Sequence, residues 1–179
     1  MSFRPTLIHF LAILGPLAIA SAAMAHVTLE TAEAPANSTQ KVVLRVPHGC
    51  DGQATHTVRV QIPEGLIAVK PMPKPGWQVE TRKGPYARSY DYFGNKLAEG
   101  VKEVVWSDGK LLDEHYDEFV LRGRVADLPP GTMLWFKTVQ DCKDGSERWI
   151  EVPAEGQRAS DLKRPAPSLK ILPAKSQGH

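Results

Sequence analysis

Cysteine is scarce in this chain of 179 residues: Cys50 and Cys142 are the only two, more than 90 positions apart and outside any C-x-x-C pair. That spacing excludes a finger-type metal site. Charge of one sign is lacking too, with 22 Lys and Arg against 20 Asp and Glu and no long basic run, so nothing calls for nucleic acid. No window carries a long apolar stripe at helical period, which predicts little helix. Catalytic signatures are also missing. There is no G-x-S-x-G, no Gly-rich phosphate loop, no H-E-x-x-H, and no pair of carboxylates spaced as acid and base.

One apolar stretch does stand out. Residues 1–25 carry an early positive charge at Arg4 and an apolar run from Leu7 to Ala20, broken by His9 and Gly15-Pro16. They end in Ala23-Met24-Ala25, the small-residue site that signal peptidase cuts. A spanning helix needs about 20 unbroken apolar residues. The segment therefore reads as a cleaved signal peptide, with a periplasmic or secreted mature chain starting at His26. In such an oxidising compartment the two cysteines are expected to pair, closing a loop of about 90 residues.

Short alternating segments separated by turn signals fill the rest. They are Lys41–Val46, Thr57–Ile62, Gln78–Thr81, Glu103–Ser107, Tyr116–Val125, Met133–Gln140 and Glu147–Val152, punctuated by Pro-Gly, Asp-Gly and Gly-Asn. This pattern predicts an antiparallel β-sandwich over residues 26–153. Beyond Pro153 the composition turns to Pro, Ala, Lys, Ser and Gln. Residues 154–179 read as a loose tail with one docked segment at Leu169–Leu172.

Histidines carry what chemistry is legible. Cleavage before His26 would leave an α-amine and an imidazole on one residue, and the amine nitrogen and Nδ1 can close a six-membered ring around a metal. An α-amine, with a pKa near 8, gives up its proton readily to a metal, and a tetragonal nitrogen set suits Cu(II). His48 lies in Pro47-His48-Gly49-Cys50, so a Cys50–Cys142 bridge would tie its loop to the chain around Cys142. A two-residue hairpin turning at Asp144-Gly145 would set Cys142 opposite Glu147, with Trp149 two positions on along the same face. The bridge thus gathers His48 and Trp149. Trp149 reads either as a core aromatic or as a ring beside a metal. Trp77, Trp106 and Trp135 read as packing residues, and His56, His115 and His179 as solvated. Glu30 is a weak carboxylate candidate.

With these residues in view, the chain resembles the YcnI-like family of exported copper-binding domains. The resemblance rests on His26-Val27-Thr28-Leu29, Leu44-Arg45-Val46-Pro47, Pro73-Lys74-Pro75-Gly76-Trp77 and Asp144-Gly145-Ser146-Glu147-Arg148-Trp149. It implies an immunoglobulin-like or cupredoxin-like sandwich and a Cu(II) site on the N-terminal histidine. His26 matches the chelating histidine and Trp149 the tryptophan next to the metal. Family members place a glutamate ligand just after the Val-Pro, where this chain has His48. A two-histidine brace is therefore expected, in a copper chaperone, carrier or buffer that meets other envelope copper-trafficking proteins and is not an enzyme. The alternatives are a copper-dependent oxidative enzyme of the lytic-monooxygenase type and a metal-free interaction domain of the envelope.

Overall fold

The computed structural model describes residues 26–175, so the signal-peptide reading and His179 lie outside the described residues. In chain order the strands are β1 (Thr28–Leu29), β2 (Glu33–Pro35), β3 (Thr39–Val46), β4 (Thr55–Gln61), β5 (Leu66–Pro71), β6 (Gln78–Tyr92), β7 (Asn95–Ser107), β8 (Asp117–Val125), β9 (Met133–Trp135), β10 (Thr138–Cys142), β11 (Ser146–Trp149) and β12 (Ser168–Leu172). One 3-10 turn, Ala159–Asp161, is the only helical element among the described residues. No helix of the described residues is long and apolar enough to cross a membrane.

A four-stranded sheet, β1-β3-β8-β5, faces a five-stranded sheet, β11-β10-β4-β7-β6, and a small sheet, β2-β12-β9, closes one side. Alternation explains the packing, because a strand's side chains leave on opposite faces with a period of two. Val42, Leu44 and Val46 of β3, Val58 and Val60 of β4, and Phe119 and Leu121 of β8 all point into one core. Trp106 lies at its centre, edge-on to Phe119 with ring centroids 5.5 Å apart. Trp77 is also edge-on to Phe119, at 4.9 Å, so both tryptophans serve the core as expected.

Three expectations change. The run Met133–Gln140 is two strands: the chain leaves the small sheet after β9 and enters the five-stranded sheet at β10. At the crossing Phe136 N–H donates to Pro167 C=O, while Lys137 C=O accepts from Gln61 N–H. The reading of 154–179 as a loose tail is corrected for β12, whose Leu169 and Ile171 are buried in the main core. β12 runs parallel to β2 and antiparallel to β9, so the domain continues past residue 153. Its docked segment matches the one expected at Leu169–Leu172.

The third change is the length of the β6–β7 hairpin, whose strands were expected to span only Gln78–Thr81 and Glu103–Ser107. Beyond Thr81 the sequence has little apolar alternation to show a strand. The hairpin closes on Phe93 and Gly94, both at positive φ (52° and 81°), the backbone that a tight primed turn requires. Its outer half is held by Tyr86 and Tyr90, which pack edge-on at 5.4 Å, and by Glu64.

Glu64 accepts from the Tyr90 hydroxyl and the Lys102 ammonium, each at 2.8 Å, and from Ala87 N–H at 3.0 Å. Burial pushes its carboxyl up, but these hydrogen bonds outweigh that and hold it below the ordinary carboxylate value. A depressed folded pKa stabilises above the unfolded value, about 4.3, and that contribution fades as pH falls through the folded value. Glu64→Gln should therefore lower Tm at pH 7 while flattening the acid limb of a Tm-against-pH curve. Parallel curves for the two proteins would contradict this account.

Candidate metal centre

The β1–β3 register brings the first of the described residues to the end of β3. Thr28 pairs with Arg45 and Leu29 with Leu44. Carried two residues further, the same register sets His26 level with Pro47, beside His48. Val27 is buried and fixes the approach of the strand, while the His26 side chain stays half-exposed. The His26 ring meets Trp149 edge-on, with centroids 5.5 Å apart and planes at 61°.

Trp149 is only 2 % exposed, and its indole N–H donates to Gln140 Oε1 at 2.6 Å. Gln140 is itself fully buried. Its Nε2 donates to the His48 carbonyl at 2.9 Å and to Thr55 Oγ1 at 3.0 Å. Both amide protons and one oxygen lone pair are thus used. A single side chain joins the tryptophan under His26 to the backbone of His48.

The loop bearing His48 is fixed by two further constraints. Cys50 and Cys142 form the expected disulfide, with Cα atoms 6.2 Å apart. Gly49 has no room for a side chain: a Cβ there would lie 2.0 Å from the Gln53 carbonyl oxygen and 3.1 Å from Asp113 Cα. His48 Nδ1 lies 2.8 Å from the Gly49 carbonyl, which can only accept, so Nδ1 carries the proton and Nε2 keeps its lone pair. Asp113 Oδ1 stands 3.8 Å from the same nitrogen.

The hairpin differs from expectation by two residues of pairing, its turn lying one residue earlier. Gln140, not Cys142, faces Glu147, and Thr138 faces Trp149. Cys142 N–H donates to Gly145 C=O at 2.9 Å, so the turn is built on Lys143 and Asp144. Trp149 still ends near the bridge, now diagonal to Gln140.

Not every candidate joins the group. The Glu30 carboxylate lies 3.2 Å from Arg45 and is committed to that pair. His56 Nδ1 is occupied by the Gly109 carbonyl, and His115 is exposed beside Glu114. Among the described residues, no three His, Cys, Asp or Glu side chains gather into a metal-holding cluster. A brace of two imidazoles and one amine needs only two such side chains.

The sequence model of a family described as "Domain of unknown function (DUF1775)" matches residues 26–171. The chain belongs to this family. No curated protein matches it. Among solved structures it is similar to an uncharacterized protein from Nocardia farcinica with an immunoglobulin-like fold. The two share 22 % identity at a TM-score of 0.61, over 82 % of this chain and 98 % of that one. A weaker likeness is to the seventh ScaB type I cohesin from Pseudobacteroides cellulosolvens, with 9 % identity and a TM-score of 0.38, over 86 % of this chain and 96 % of that one. The fold of this DUF1775 domain is therefore an immunoglobulin-like sandwich.

Gln140, Thr55 and Asp113 are the residues of this DUF1775 domain that sequence reasoning passed over. A signal for Gln140 exists. Leu134, Phe136, Thr138 and Gln140 share one parity, and all four are buried. A glutamine at an inward position must find partners, because an unsatisfied buried polar group costs about 1–3 kcal/mol. Gln140→Met keeps the volume but strands the Trp149 indole N–H and the His48 carbonyl. It should cost roughly 2 kcal/mol in chemical unfolding and change the Trp149 fluorescence. Unchanged stability would show that the network is incidental.

Proposed function

We propose that this DUF1775 domain is a Cu(II)-binding protein of the cell envelope, a chaperone, carrier or buffer acting after export, as its YcnI-like resemblance implies. His26 supplies its α-amine and Nδ1, and His48 supplies Nε2. Trp149 lies beside the metal and limits water access. Copper is the cargo, passed to or from other envelope copper-trafficking proteins.

The observation that carries this reading is the packing of the His26 ring on Trp149, whose indole is tied through Gln140 to the His48 carbonyl. The donor set fits as well. His48 donates Nδ1–H to a backbone carbonyl, the usual arrangement of a metal-binding imidazole, and has Nε2 left for a ligand bond. Three nitrogens in a plane favour Cu(II) over the other divalent ions. Glu30, held by Arg45, is the poorer candidate for a further ligand.

EPR of Cu(II) on protein whose first residue is His26 tests the proposal. The expected spectrum is tetragonal with hyperfine structure from three nitrogens, and an aquo-copper spectrum would refute it. His48→Ala should still bind copper through His26, but more weakly. The loss should be at least the roughly 10–100-fold that removal of an outer-shell partner costs. Glu30→Gln should match the parent. If the effects of the two variants are reversed, the second ligand is a carboxylate and His48 is a loop residue.

A further inference from the structure

Register breaks in β5 and β6 lie toward the end of the sandwich opposite His48. β4 and β7 are antiparallel, with Val58 opposite Trp106 and Gln61 opposite Glu103, so the β6–β7 tip projects past the Gln61 end, away from Thr55 and His48. On the neighbouring edge strand, β5 breaks its pairing with β8 between Ile67 and Lys70. At that break Ala68 holds φ at 51°, a left-handed backbone that a Cβ-bearing residue seldom adopts. Across from it, β6 breaks register with β7 between Pro85 and Tyr90. Two bulged strands thus face each other, and bulges and strained residues concentrate where a protein shapes a site.

Between them lies a cavity of about 340 Å³, within the size range of small-molecule sites. Its walls include Val69, Val101 and Leu97 with the rings of Tyr86 and Tyr92, and Lys70 and Lys83 also line it. Glu99 is the acidic lining residue, so the cations outnumber it two to one. Tyr86 is 8 % exposed, and its buried hydroxyl has no hydrogen-bond partner. Ala68's backbone is near enough to influence the phenol, but not in hydrogen-bond geometry. The ring presses on Gly100, where a Cβ would come within 1.8 Å of the hydroxyl, so only glycine permits this packing. Burial pushes the phenol above its usual pKa, keeping it a neutral donor.

We infer that this cavity is a second ligand site, which takes a small organic anion with an apolar, ring-sized body and one carboxylate. The apolar walls and two tyrosine rings accept the body. Lys70 and Lys83 attract the carboxylate. The site uses none of the histidines, so its failure or success leaves the copper reading untouched.

Biphenyl-4-carboxylate is the probe, titrated into the parent protein and followed by amide NMR. Saturable shifts centred on Ala68, Leu97 and Gly100 are expected, and biphenyl-4-methanol, which lacks the charge, should bind more weakly. Lys70 and Lys83 are exposed, so reversing both to Glu should leave the fold intact and weaken the acid's binding at least about tenfold. Leu97→Trp should fill the cavity and abolish the shifts. No saturable shift at millimolar probe, shifts centred elsewhere, or equal binding by the doubly reversed variant would overturn the inference.

Discussion

Replacing Cys50 and Cys142 together by alanine should lower the stability of the domain by about 4–5 kcal/mol, the loop-entropy value for a closed loop of nearly a hundred residues. The disulfide joins the loop after β3 to the end of β10, with a sequence separation of 92. These are the segments whose relative position also sets His48 against Gln140. The damage should therefore be local as well as global. Chemical unfolding measures the first effect. Copper affinity, measured under conditions where the variant is still folded, should approach that of His48→Ala. A variant that unfolds like the parent would mean that strain in the native bridge offsets its entropic gain. One that is destabilised but binds copper like the parent would show that the hydrogen bonds of Gln140 hold the His48 loop unaided.

The larger functional effect should follow from a single residue added before His26. It turns the α-amine into an amide, removing one nitrogen and breaking the chelate ring, while leaving every side chain in place. Affinity should fall by more than the His48→Ala loss, on the order of a thousandfold if two of three ligand bonds are weakened at a few kcal/mol in all. Competition against a chelator of known strength reads it. His26→Ala, with its amine free, should fall between the parent and the extended protein or below both, and it also loses the ring that packs on Trp149. Equal affinity for the parent and the extended form would end the N-terminal brace as an explanation. Unchanged thermal unfolding of the extended form would confirm that the loss is chemical rather than structural.

Much of this domain was legible before its structure. Alternation in Lys41–Val46, Thr57–Ile62 and Tyr116–Val125 fixed which face of β3, β4 and β8 turns inward, because side-chain direction along a strand is a local property with a period of two. With two cysteines there is only one possible intramolecular bridge, and it forms. Register is not local in this way. Sequence placed Cys142 opposite Glu147, but the turn falls one residue earlier and puts Gln140 there, since several adjacent residues could close the same hairpin. The outer half of β6–β7 carries too little apolar alternation to announce itself, and it exists because Tyr86, Tyr90 and Glu64 hold it. Docking of β12 depends on an open position between β2 and β9, two strands distant in sequence. The meeting of His26 with Trp149 needs β1 on one edge of the first sheet and β11 on one edge of the second, brought to the same side of the core. Local pattern sets the direction of each side chain, but which edges meet is decided by how whole sheets bury their apolar faces together.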